Sequence, residues 1–163
     1  MSRHSCSLLC SLILGLLLCL PALAQERPFD FYSRGPYAEG IPRPEEILGY
    51  PIGKRHSYHH QMEAYMSALA KASPRIRLEQ YGTSFEGRRL WLVLVSTEEN
   101  LAKLDGIREQ VRRLRDPRAM TEADARQIAA STPAIAWANF AIDGNESAAF
   151  ETAMQLAYQL AAG

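Results

Sequence analysis

Asp143 and Glu146 are the residues whose type and spacing best suit them to hold a cation. Two carboxylates stand three positions apart in Asp143-Gly-Asn-Glu146, and Gly144 keeps the turn between them free of side-chain bulk, so both can face one ion. The same four residues also suit a plainer role. Asp-Gly is a common turn, Asp143 or Asn145 can cap a following helix, and Glu146 in a first turn complements the helix dipole. The remaining reactive groups are less suited to chemistry. His56 and His60 have the i, i+4 spacing of a helical metal pair, with His59 beside them, yet no glutamate or third ligand accompanies them at motif spacing. Ser84 has no partnered base, which leaves nucleophilic catalysis unsupported. Arg88 and Arg89 read as flanks of a hairpin rather than as a clamp for a substrate carboxylate.

The elements that must position these groups can be read from period and punctuation. Residues 57–73 carry Met62, Tyr65, Met66, Leu69 and Ala70 on one helical face, with Ser57 as a cap and Pro74 as the stop. Residues 75–81 alternate as a half-exposed strand, and residues 90–95 form a near-continuous apolar run that predicts a more deeply buried one. Gly82 and Gly87 bracket a turn or bulged hairpin between them. A charge-rich helix is expected over residues 98–115, ended by Asp116-Pro117, and Thr121 to Asp124 form a capping-box-like start for a short helix to Ala130. Pro133 then opens an expected third strand over residues 134–142, suited to a sheet interior. A last helix follows Glu146, with Phe150, Ala153, Met154, Ala157 and Leu160 on its apolar face. This order predicts an α/β fold, a mixed sheet flanked by helices, with the Asp143–Glu146 turn where a strand runs into a helix N-terminus.

Composition narrows the function. The 163 residues carry 18 basic and 18 acidic side chains, so no net field gathers nucleic acid, and nucleic-acid partners are not expected. Residues 1–24 have the layout of a secretory signal peptide: Arg3 and His4, an apolar run from Leu8 to Leu20, and Ala22-Leu23-Ala24 as the cleavage site. Export to the periplasm or the extracellular space is therefore expected, without stable membrane association after cleavage. Cys6, Cys10 and Cys19 all lie in that leader, so the mature chain would have neither disulfides nor a thiol nucleophile. Residues 25–56, rich in proline and aromatics, read as an extended lead-in, and residues 57–163 as the domain proper.

Two separated stretches bear a family resemblance. Tyr81-Gly-Thr-Ser-Phe-Glu-Gly-Arg-Arg-Leu90, followed by residues 91–96, is similar to the Gly-x-Ser-x-Glu-Gly-Arg hairpin near the start of zinc carboxypeptidase domains of the carboxypeptidase A type. Residues 135–160 resemble the first metal-binding segment of that family, where a strand ends in His-Gly-Asn-Glu. The resemblance implies a metallocarboxypeptidase, one zinc ion, and the C-termini of peptides or proteins as substrates. By position it places the metal on Asp143 and Glu146, with aspartate standing where the family has histidine. Such an exchange removes a neutral nitrogen ligand and adds a negative charge, which makes the metal a weaker Lewis acid. The family's other histidine ligand, its substrate-binding arginines, its tyrosine and its catalytic glutamate fall downstream of Gly163. The expectation is thus the N-terminal part of a carboxypeptidase-like domain, apparently truncated and inactive as an isolated chain. With few strands, it would leave a sheet edge and an apolar helix face uncovered and so prone to association. The alternative is a non-catalytic exported binding or structural protein on a degenerate carboxypeptidase scaffold.

Overall fold

The computed structural model describes residues 29–146 and 148–163, and contacts divide the chain into two units, residues 1–33 and 34–163. The expected leader, residues 1–24 with its three cysteines, lies outside the described residues. In the first unit, residues 30–33 form a turn on Asp30, whose Oδ1 accepts from the Tyr32 N–H at 2.8 Å, and Phe29 packs edge-on against Phe31.

The second unit begins with proline-rich chain that the domain uses as packing material. Pro44 at the first helical position starts a short helix, α1 (Pro44–Leu48), and Gly49 ends it at φ 74°, with its N–H on the Glu45 carbonyl. Pro44 and Tyr50 are buried. Helix α2 (His59–Ala72) follows, and its apolar stripe of Tyr65, Met66 and Leu69 is buried as the spacing requires. Tyr65 donates its hydroxyl to the Pro42 carbonyl at 3.2 Å; burial pushes that hydroxyl's pKa up, which keeps it a donor. Ser57 is not the cap. Tyr58 takes that place, and its N–H is met by Gln61 Oε1 at 2.9 Å, while Ser57 is buried in a different set of hydrogen bonds.

Strands β1 (Ile76–Thr83) and β2 (Arg89–Val95) pair antiparallel from Ile76 opposite Val95 to Thr83 opposite Arg89, with a bulge at Tyr81. The turn closes through Gly87 at φ 77°, and the Ser84 hydroxyl accepts the Arg88 N–H at 3.1 Å. β2 is half-exposed rather than deeply buried, because β1 is its sole strand partner among the described residues. Glu63 of α2 fastens the hairpin: its Oε1 accepts from Trp91 Nε1 at 2.6 Å and from Arg89 Nε at 2.7 Å. The Trp91 hydrogen bond, with Arg89 adding to it, holds the Glu63 carboxyl below the usual glutamate range.

The charge-rich segment forms two helices rather than one, α3 (Glu98–Ala102) and α4 (Leu104–Arg115). Thr97 caps α3 by accepting the Asn100 N–H, and the helix ends where the Lys103 N–H is shared between the carbonyls of Glu99 and Asn100. Helix α5 (Glu122–Ser131) starts with the reciprocal bonds expected of Thr121 and Asp124, each 3.2 Å. The last helix, α6 (Ala149–Ala162), packs along α2. Its buried face is Met154, Ala157, Tyr158 and Ala161, together with the polar Glu151 and Gln155; Leu160, expected inside, is 48% exposed.

Helices around a sheet bear out the α/β class, but the third strand is absent. Residues 133–142 pair with no strand, and Trp137 is 74% exposed. Strand character comes from a ladder, and no described residues offer one to this segment, so apolar content alone does not make it a strand.

Two outcomes follow. Leu69→Ala, at a fully buried site, should cost about 2–5 kcal/mol in urea denaturation. Because the Glu63 carboxyl is depressed, its contribution is present above the ordinary value near pH 4.5 and is lost as pH falls through its lowered folded value. Denaturation midpoints measured between pH 7 and pH 3 should therefore fall less for Glu63→Gln than for the wild type.

Candidate functional site

Residues 143–146 form a turn immediately before α6. The Glu146 N–H donates to the Asp143 carbonyl at 3.1 Å, and the Glu146 carbonyl accepts the Ala149 N–H at 3.2 Å, which ties the turn to the first residue of the helix. Space is open around Gly144, in keeping with its reading as a position free of bulk. Ala148 is the N-cap and has no side-chain cap bond; Asp143 and Asn145 do not cap α6. Both candidate carboxylates are exposed, and neither makes a hydrogen bond or ion pair with another described residue. The local backbone is constrained two residues upstream, where Ala141 sits at φ 54°, a left-handed conformation that non-glycine residues seldom adopt.

A shallow depression of about 580 Å³ lies beside this turn. Asn139, Phe140, Ile142, Asn145, Glu146 and Thr152 are among its lining residues, so apolar side chains stand together with amide, hydroxyl and carboxylate groups. The two candidates separate here: Glu146 lines the depression and Asp143 does not.

The other sequence candidates are engaged elsewhere. His60 stacks on Tyr58 at 5.9 Å between ring centres, and His56 precedes the helix cap, so His56 and His60 do not form a pair on one helix. Arg88 pairs with Glu86 at 2.6 Å and Arg89 with Glu63, as hairpin flanks should. Sequence reasoning missed Glu151, in the first turn of α6, which is only 6% exposed. Its Oε1 accepts the Ser57 N–H at 2.6 Å, and the Ser57 hydroxyl lies 2.8 Å from that of Tyr50. The signal was its place on one stripe with Met154, Gln155 and Tyr158, where an acidic residue interrupts a buried helix face.

Compared with protein families, residues 62–163, more than half of the chain, match the zinc carboxypeptidase model. No match was found among curated proteins or solved structures. The family is zinc-dependent, and the donor set present fits that ion in part. Two uncommitted oxygen ligands are available at one turn, while no group of three or more histidine, cysteine, aspartate or glutamate side chains converges among the described residues.

The backbone at Ala141 can be tested directly. Ala141→Gly relieves the left-handed strain at an entropic cost of similar size, so its stability should change by less than about 1 kcal/mol. Ala141→Val, β-branched in the same conformation, should lose more than about 1 kcal/mol in the same denaturation experiment.

Proposed function

The chain belongs to the zinc carboxypeptidase family, and from that premise we propose that its site serves zinc-dependent release of C-terminal residues from peptides, with Glu146 the stronger metal ligand and Asp143 the weaker. The observation that carries this reading is the free Glu146 carboxylate on the wall of a depression at the head of α6, inside the family-matched segment. Glu146 supplies one anionic oxygen ligand from a position that the helix start holds. Asp143 supplies a second from across the turn, with the drawback that an added carboxylate donates more negative charge than a neutral imidazole would. A bound zinc ion would polarise the scissile carbonyl and lower the pKa of water. Phe140 and Ile142 give the depression an apolar surface against which a substrate side chain can rest, while Asn139 and Asn145 offer amide groups to a peptide backbone.

Hydrolysis also needs a third protein ligand and a base within reach of the attacking water, and no group of three or more histidine, cysteine, aspartate or glutamate side chains converges among the described residues. We therefore assign these 163 residues, taken by themselves, no turnover. The same observation favours one second reading, a binding or structural role on the carboxypeptidase scaffold. We also propose export, on the strength of residues 1–24; no helix among the described residues is long and apolar enough to cross a membrane.

Purified chain should release no C-terminal residues from peptides with or without added zinc, and zinc-dependent release would overturn the inactive assignment. Zinc uptake, measured by competition with a chromogenic chelator, should fall at least about tenfold in Glu146→Ala and rise in Asp143→His. Unchanged uptake in both variants would remove Glu146 and Asp143 from the metal site and leave the binding-protein reading.

A further inference from the structure

We propose that Glu151 is a positioning residue, whose buried hydrogen bond to the Ser57 N–H fixes the first turn of α6 and through it the Glu146 turn. Helix α6 is fastened very unequally at its two ends. Its last turn accepts two bonds from distant parts of the chain: Ala38 N–H to the Ala162 carbonyl at 2.7 Å, and the Ser73 hydroxyl to the Ala161 carbonyl at 3.3 Å. The Arg75 guanidinium donates to the Gly163 carbonyl just beyond. At the first turn, over residues 149–152, the bond from Ser57 to Glu151 is the sole long-range hydrogen bond among the described residues. Residues 141–146, which lead into that turn, have only local backbone bonds and mostly exposed side chains.

Glu151 is not isolated at the other side of this bond. Ser57 meets Tyr50, whose hydroxyl is also 3.3 Å from Gln61 Oε1, and that oxygen accepts the Tyr58 N–H at the start of α2. One polar chain thus joins the N-termini of α2 and α6. The arrangement is a poor source of stability. A carboxylate 94 residues from its partner in sequence is buried on one donor, and its second oxygen, Oε2, is buried without a hydrogen bond among the described residues. An apolar side chain of similar size would remove that desolvation cost but leave the buried Ser57 N–H without its acceptor, so little net stability separates the two. What the carboxylate adds is a fixed direction: it orients the helix start against Ser57, where packing alone would let it slide. Glu146 stands five residues upstream of Glu151, joined to it by the turn and the Glu146 to Ala149 bond, so the direction is passed to the candidate ligand.

The test separates positioning from stability by using Glu151→Leu, which deletes the acceptor without opening a hole, and Glu151→Gln, which keeps an acceptor oxygen. In metal-free protein, exchange of the Ala149 and Thr152 amides, which donate to the Glu146 and Ala148 carbonyls, should accelerate at least about tenfold in Glu151→Leu, with residues 158–162 little changed. Glu151→Gln should restore most of the protection. Ser73→Ala, which cuts a tether at the opposite end, should loosen residues 158–162 instead. Uniform acceleration along α6, or none in Glu151→Leu, would overturn the proposal. Its consequence for metal rests on the zinc reading above and is measured with zinc ion alone: affinity should fall about 10- to 100-fold in Glu151→Leu and stay within about twofold in Ser73→Ala. If the wild type takes up no zinc, or Glu146→Ala loses none, the metal reading fails, while the exchange data still decide the role of Glu151.

Discussion

The contact of α2 with α6 is the constraint on which the rest of residues 34–163 depends. Tyr65 and Leu69 of α2 and Met154 of α6 are fully buried, Met66, Ala157, Tyr158 and Ala161 are buried too, and the two helices are in contact. Small residues on α6 let the helices approach, and large ones on α2 fill the space, as close packing requires. The surrounding pieces are placed by attachment to this pair. The Pro42 carbonyl and Pro44 sit against Tyr65 and α2, Tyr37 packs on Tyr158 at 5.2 Å, and the hairpin hangs from Glu63 through Trp91 and Arg89. The candidate site is tied to the same pair, since the Glu146 carbonyl accepts the N–H of Ala149, the first residue of α6.

Polar groups divide between locating this frame and coating it. Among buried ones, Ser57 with Glu151 and Ser73 with the Ala161 carbonyl bridge segments 94 and 88 residues apart and so specify one arrangement of the helices. Exposed ones mostly satisfy neighbours on their own helix: Lys103 with Glu99, Arg112 with Glu109, and Arg126 with Glu122. Such pairs are screened by solvent and add little to stability. α4, which has no buried residue, relies chiefly on good helix formers, with Arg112–Glu109 and Arg108–Asp105 as local pairs and Arg108 reaching Glu79 of β1.

Local chemistry was legible in the sequence, and contact geometry was not. The antiparallel hairpin, the helix expected over residues 57–73 and found over 59–72, the Thr121 and Asp124 box and a last helix after Glu146 follow from short-range pattern, whereas the caps expected of Ser57, Asp143 and Asn145 are not used. The expected third strand failed because periodicity measures what a segment can bury, whereas a strand exists only where a neighbour offers hydrogen bonds. The face of α6 was misjudged by about one residue for a related reason. Leu160 looks like a core residue by type, but Ala157 and Ala161 are the buried positions of that turn and Glu151 is buried on the Ser57 N–H, which leaves Leu160 outward. Residue type outweighed position in the reading, and position prevailed in the fold. At the site, Glu146 and Asp143 were legible as a carboxylate pair on one turn, but their unequal relation to the depression depends on the path of residues 139–142, including the left-handed Ala141, which no sequence pattern announces.

The way the site is held bears on what a metal could do there. A structural zinc ion contributes folding energy because its ligands converge only in the folded, metal-bound state. Here the core is built from α2, α6 and the hairpin, and both candidate carboxylates lie outside it in solvent, so a cation at the turn has no core to organise. Two like charges three residues apart repel only weakly when water screens them, which lets the turn form without a counter-ion. Affinity must then come from how well the turn is oriented beforehand, since little free energy of folding is available to be linked to binding. That orientation passes through the first turn of α6, and in that turn the bond from Ser57 to Glu151 is the one that reaches across the fold. The carboxylate buried in the core is thus the same group that can give the exposed carboxylates a direction.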